Sequence, residues 1–261
     1  MERGDAVSLS GGKMLFLGGL LYLVFLAAAM PAGILARQIE KQTDNRVLVS
    51  NEQGTLWGGT ADLSIIAANS AAPRRLGSVS WRFRPSDLLG GKLGFKLEFA
   101  DREALAAGVL RLGGGGVQCK DVKAEIPAGW LARQHSALAA WQPGGKLVLE
   151  AADFSFAAGE IAGQAALRWL NASSALAAQP LGSYRANLEG KAQGVAIVLA
   201  TEQGALDLSG TGNWSRQGGL AFDGIARTRA GAAGLAPLLR VLGPAQSDGA
   251  HLIRIRGRPA D

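Results

Sequence analysis

The sequence predicts a mainly β protein, with one N-terminal transmembrane helix followed by a twisted, mostly antiparallel sheet domain carrying one or two short helices. Three observations lead there. Residues 14–36 contain no charged side chain. Short stretches after them alternate apolar and polar residues, the period of half-buried strands. The 37 glycines, against 9 prolines, punctuate those stretches with turns.

The implied organisation is a short cytoplasmic tail at 1–13, a transmembrane helix at 14–36 and a β-rich domain at 37–261. Leu15, Leu17, Leu20, Leu21, Leu23, Val24, Phe25 and Leu26 make the span apolar on every face. At ~1.5 Å per residue, the stretch covers roughly the 30 Å hydrocarbon core. A cleaved signal peptide is the competing reading, because alanines precede Met30. Signal-peptide apolar cores run about 7–15 residues, shorter than this stretch. Arg3 and Lys13 on one side are matched by Arg37 and Lys41 on the other, so flanking charge sets no orientation. The small tail and the long following domain favour tail inside, domain outside.

Strand-like alternation occupies 46–50, 60–66, 77–83, 92–99, 146–150, 165–169, 183–189, 195–200, 205–209, 220–226 and 252–256. Leu206 and Leu208 point one way while Asp207 and Ser209 point the other. Two segments have helical spacing instead: 128–141, with Trp130, Leu131, Leu138 and Trp141, and 234–242, with Leu235, Leu238, Leu239 and Leu242. The stretches GEIAGQAALRW at 159–169 and GALDLSGTGNW at 204–214 echo one another, as two equivalent hairpins would. The glycine run at 113–116 reads as a loop or bulge.

Charge and composition exclude most chemistries. The net charge of +6 comes from basic residues placed singly or in pairs, the pattern of a solvated surface rather than a nucleic-acid site. Cys119 is the single cysteine, so no intramolecular disulfide forms, and flanked by Gln118 and Lys120 it reads as an incidental strand residue rather than a nucleophile. His135 and His251 are the two histidines and are far apart in the chain. With one cysteine they supply no zinc ligand set. No G-x-S-x-G elbow occurs, and Gln118 stands where a dinucleotide-binding loop over 113–116 would need its last glycine. Asp121 and Glu125 read as solvated carboxylates rather than as a catalytic pair. The expectation is no catalytic residue, no cofactor and no metal.

Residues 54–59 read GTLWGG, and 79–85 read VSWRFRP. Farther on, 210–214 read GTGNW, Asp223 and Gly224 end a strand, 237–243 read PLLRVLG, and a glycine-flanked stretch closes the chain at 249–257. In this order, behind one N-terminal span, the motifs resemble the type II secretion system protein N family (general secretion pathway protein N). Gly54, Thr55, Trp57 and Gly59 occupy the first motif, Trp81 and Pro85 the second. The resemblance implies a single-pass protein of the bacterial inner membrane with its C-terminal domain in the periplasm. It further implies an accessory, non-enzymatic part of the type II secretion system whose partners are other secretion components.

Among the motif residues, Trp57, Gly58, Gly59, Trp81 and Trp214 are the interaction candidates, since tryptophan is enriched at binding hot spots. Capping a small-residue core is the alternative role for these rings. Two functions stay open: a scaffold whose strand edges receive partners, and a lipid-handling β-groove anchored in the membrane. Continuity of the apolar face separates them, a filled core favouring the scaffold and an open apolar trough favouring lipid.

Overall fold

The computed structural model describes residues 11–66, 72–134, 141–229, 233–247 and 249–257. The chain forms two compact units, Met1–Leu76 and Gly77–Asp261. Within each unit the strands follow one another in the sheet in sequence order. Every neighbouring pair whose register is described is antiparallel. Short connections and a sheet order equal to sequence order are what glycine-punctuated alternating strands produce.

The first unit holds helices α1 (Gly11–Ala28) and α2 (Gly33–Gln42), strands β1 (Val47–Thr55) and β2 (Gly58–Ile65), and the start of β3 (Arg74–Arg84). The predicted helix over 14–36 is therefore divided. Pro31 has no amide hydrogen and disfavours helix at Met30, and the backbone there is stitched elsewhere. The Leu56 amide donates to the Met30 carbonyl at 2.8 Å, and the Ala32 amide donates to the Gly54 carbonyl at 3.3 Å. Eighteen residues of α1 span roughly 27 Å, short of the ~30 Å hydrocarbon core. Among the described residues no helix is long and apolar enough to cross a membrane. Leu20, Leu21, Tyr22, Leu23, Phe25 and Leu26 of α1 are nevertheless all exposed.

The second unit continues β3 and adds β4 (Leu93–Ala100), β5 (Leu105–Gly113), β6 (Gly116–Pro127), β7 (Gly144–Ala157), β8 (Glu160–Ser173) and β9 (Gly182–Lys191). Strands β10 (Gly194–Gly204), β11 (Leu206–Ser215), β12 (Gly219–Thr228) and β13 (His251–Arg256) complete it. Helices α3 (Ala128–Gln134) and α4 (Ala236–Leu242) and a 3-10 turn at Pro85–Gly90 fill the longer connections. Both helices lie inside segments with predicted helical spacing; residues 135–140 of the first are outside the described set.

Two strands, β5 and β6, escape the alternation reading. β6 carries Val117 and Cys119 on one face, then a residue with positive φ at Asp121, and resumes with Val122, Ala124 and Ile126. The register shifts by one opposite Ala107–Val109. Such a bulge reverses the parity of everything after it and hides the period. The glycine run beside them is a hairpin turn: Gly114 and Gly115 have φ of 59° and 74°, as a two-residue primed turn requires. The echoed segments prove not to be equivalent. They fall on β8 and β11, which run in opposite directions in the meander.

The buried core of this unit lies where α4 docks. Leu235, Leu238 and Leu239 pack against Ala172, Tyr184, Leu206, Phe222, Ala226 and Ile253. Two polar groups there are paired, as burial favours. The Tyr184 hydroxyl donates to the Leu206 carbonyl at 3.1 Å, and the Trp169 indole donates to the Gly144 carbonyl at 2.9 Å.

Candidate functional site

Within the second unit one face of the sheet is apolar from β3 to β13, as the strand registers show. Trp81 lies opposite Leu97 and Phe83 opposite Phe95, and Phe95 lies opposite Leu110. Leu110 faces Cys119, Cys119 faces Phe154, and Phe156 faces Ile161. Leu149 meets Leu167, Leu167 meets Ala186, and Ala186 meets Leu199. Phe222 and Ile255 carry the face to the last strand. The opposite face is polar, with ion pairs such as Lys120–Asp153 at 3.3 Å and Arg168–Glu202 at 3.4 Å, each worth ~1 kcal/mol or less at such exposure.

Coverage of the apolar face is uneven. At the rim formed by the β6–β7 and β12–β13 connections, α3 and α4 pack on it. Trp130 of α3 meets Phe99 edge-on, with ring centroids 6.4 Å apart, and α4 builds the core described above. At the other rim, where the tight hairpins turn, the face is bare among the described residues. Leu93, Val117, Phe156, Trp214 and Ile255, each at or next to a strand end on that rim, are all exposed. The 3-10 turn on the same rim presents Leu88 and Leu89, the latter 94% exposed. Beneath them the Asp87 carboxylate is clasped by Arg111 at 2.7 Å and Arg84 at 3.2 Å, so the turn is held in place while its leucines face out. So much exposed apolar surface on one rim is the mark of a contact surface.

The bare rim also curls. Arg216, in the β11–β12 turn, sits with its guanidinium 5.2 Å from the centroid of the Phe156 ring on β7. On a flat sheet those strands would stand four spacings apart, roughly 19 Å, so the sheet bends toward its apolar side. The bend shapes a half-open cavity of about 350 Å³ lined by Phe156, Ile161, Trp214, Gln193, Arg216 and Gln217, among others. Arg216 forms no ion pair among the described residues.

The sequence-predicted candidates fall into two places. Trp57, Gly58 and Gly59 form the β1–β2 hairpin of the first unit, where the Trp57 indole N–H donates to the Ala27 carbonyl at 2.6 Å. That carbonyl is in the last turn of α1, where it also accepts a long bond from the Met30 amide at 3.4 Å. Gly54 explains the motif's first glycine. Its φ is +93°, and a Cβ there would lie 2.4 Å from the Gly58 carbonyl oxygen, so the close hairpin excludes any side chain. Trp81 and Trp214 belong to the apolar face of the second unit, on β3 and β11. Trp81 is 9% exposed and Trp214 is 40% exposed. The GTGNW motif that ends at Trp214 has its own packing reason. A Cβ at Gly210 or Gly212 would come within 3 Å of the Phe222 ring, so these glycines make a platform on which that ring lies.

Sequence reasoning missed Phe156, Ile161 and Arg216. The signal was present but displaced. On β7 the apolar positions run Leu147, Leu149 and Ala151, then slip by one residue at a bulge to Phe154 and Phe156, so the alternation looks finished at Glu150.

The described residues include no group of three or more side chains able to hold a metal ion. Burial pushes the Cys119 thiol up, which holds it in the inert thiol form. A family model for the type II secretion system (T2SS), protein N, matches residues 45–254. The chain belongs to this family. Protein N of the type II secretion system is a non-enzymatic, inner-membrane-associated component of the machinery, and membership implies interaction with other secretion components. No curated protein and no solved structure matches the chain.

Proposed function

We propose that this member of the protein N family is an accessory scaffold of the secretion system, held in the inner membrane through α1 with its sheet in the periplasm. The sheet receives a partner strand at the β13 edge. The carrying observation is the asymmetry of the outer strands. The outer side of β1 is occupied: the Glu40 carboxylate of α2 accepts the Val49 amide at 3.0 Å, and Pro31 bridges Thr55. On β13 only the first residues are covered, by a bridge between Ala245 and His251. From Ile253 onward no strand lies outside β13 among the described residues. An open edge is a template for strand addition; the exposed Arg254 and Arg256 share one carboxylate, Asp223, at 3.8 and 2.8 Å, and the positive charge left over favours a partner segment bearing carboxylates. The test places a photo-cross-linking side chain at position 254 in intact cells and assays secretion by an Arg254→Asp, Arg256→Asp variant. Capture of another secretion component, lost in the variant together with secretion, supports the reading. Unchanged secretion and no captured component would sink it.

A second reading has an observation of its own. The apolar face of the second unit is continuous and, among the described residues, is filled only at the helix-bearing rim, which favours lipid handling along the rest of it.

A further inference from the structure

We propose that the cavity between Phe156, Ile161, Trp214 and Arg216 binds one phospholipid of the inner membrane, an acyl chain against the rings and an anionic head group at Arg216. The proposal rests on the lipid-handling reading and assigns it a site and a ligand class. The volume of about 350 Å³ falls in the range of small-molecule pockets, which combine an apolar lining with a few placed polar groups. Here the apolar lining is Phe156 and Ile161 from neighbouring strands and Trp214 from β11, all on the apolar face. The polar groups are gathered on one side: Arg216 and Gln217 in the β11–β12 turn and Gln193 in the β9–β10 turn. An amphiphile has the same division.

Charge selects the head group. The Arg216 guanidinium has no carboxylate partner among the described residues and lies over the Phe156 ring, which orients its plane without neutralising it. Its fork of donors suits a phosphate oxygen pair. Trp214 supplies the amphipathic ring that sits well at a boundary between lipid tail and polar head. Exposed Leu93, Val117 and Ile255 along the same rim extend the apolar surface on either side of the cavity, so a chain longer than the cavity still rests on apolar side chains.

The experiment uses the full-length protein reconstituted in vesicles containing phosphatidylglycerol with a photoreactive diazirine at the end of one acyl chain. A parallel preparation carries the matched phosphatidylcholine. Adducts are mapped by peptide mass spectrometry. The expected result is labelling of the peptides carrying Phe156, Ile161 and Trp214, stronger for phosphatidylglycerol by about tenfold, the size of one charge-assisted contact. Arg216→Gln, a change in an exposed turn, should level the two lipids. Phe156→Asp should abolish the cavity adducts, whereas Val198→Asp on the polar face should leave them. Equal labelling by both lipids in the wild-type protein overturns the anionic-head assignment. Adducts along Leu149 and Leu167 but none in the cavity overturn the site while leaving the lipid-handling reading standing. Adducts confined to α1 overturn both.

Discussion

Trp57 and Tyr184 each join a large ring to a side-chain hydrogen bond, and the two bonds do different work. The Trp57 indole takes up an end carbonyl of α1, tying the helix to the GTLWGG hairpin. Trp57→Phe keeps the ring and removes the donor. The expected cost is about 1 kcal/mol, read as a lower thermal midpoint of the purified full-length variant, and no change there would remove the bond from any structural role. Tyr184 is 2% exposed, and burial, with Asp207 adding to it, pushes its hydroxyl well above the ordinary tyrosine range. The sign follows from proton counting. Above about pH 10 an unfolded tyrosine ionises while the folded one keeps its proton, so the unfolded state binds fewer protons and stability falls as pH rises. Tyr184→Phe is expected to lose about 1 kcal/mol at neutral pH with the bond to Leu206, yet to flatten the decline on the alkaline side. Urea midpoints followed from pH 8 to 11 measure both effects, and parallel alkaline declines would contradict the assignment.

At the scale of elements, α4 turns part of an apolar face into a core. Its first turn carries a proline, which suits a helix start, and Leu235, Leu238 and Leu239 are buried at one end of the sheet. Leu238→Ala leaves a cavity under a short helix that has little stability alone, so a loss of roughly 2–5 kcal/mol is expected. Hydrogen exchange should locate the loss in α4, β12 and β13 and leave β4–β6 protected as before. Uniform loss of protection would mean that the sheet melts as one block. The hairpin β5–β6 shows why elements differ in legibility: its two glycines at positive φ are a clear turn signal, while the bulge at Asp121 scrambles the strand signal beside it.

For the whole molecule, family membership makes the protein inner-membrane-associated, and the exposed apolar side chains of α1 favour that helix as its point of attachment. Protease added to spheroplasts is expected to digest the domain after Arg37, with the residual N-terminal piece staying in the membrane fraction. Protection of that domain, or recovery of a shortened soluble chain, would overturn the anchored periplasmic arrangement. The sequence by itself determined the β class, most of the strands, the two short helices and the family, because alternation, glycine turns and ordered motifs are local properties of the chain. It left the division of the N-terminal helix unread, although Pro31 was in plain view, because uniform apolarity masks a break whose backbone groups are satisfied by a distant hairpin. Only tertiary structure decided which apolar residues are covered. Leu147 and Phe156 look alike on one strand, but one lies toward the helix-bearing rim and the other at the bare rim. Bulges set the register that puts Phe156 beneath Arg216, and burial depends on what a fold lays over a face rather than on the residues that compose it.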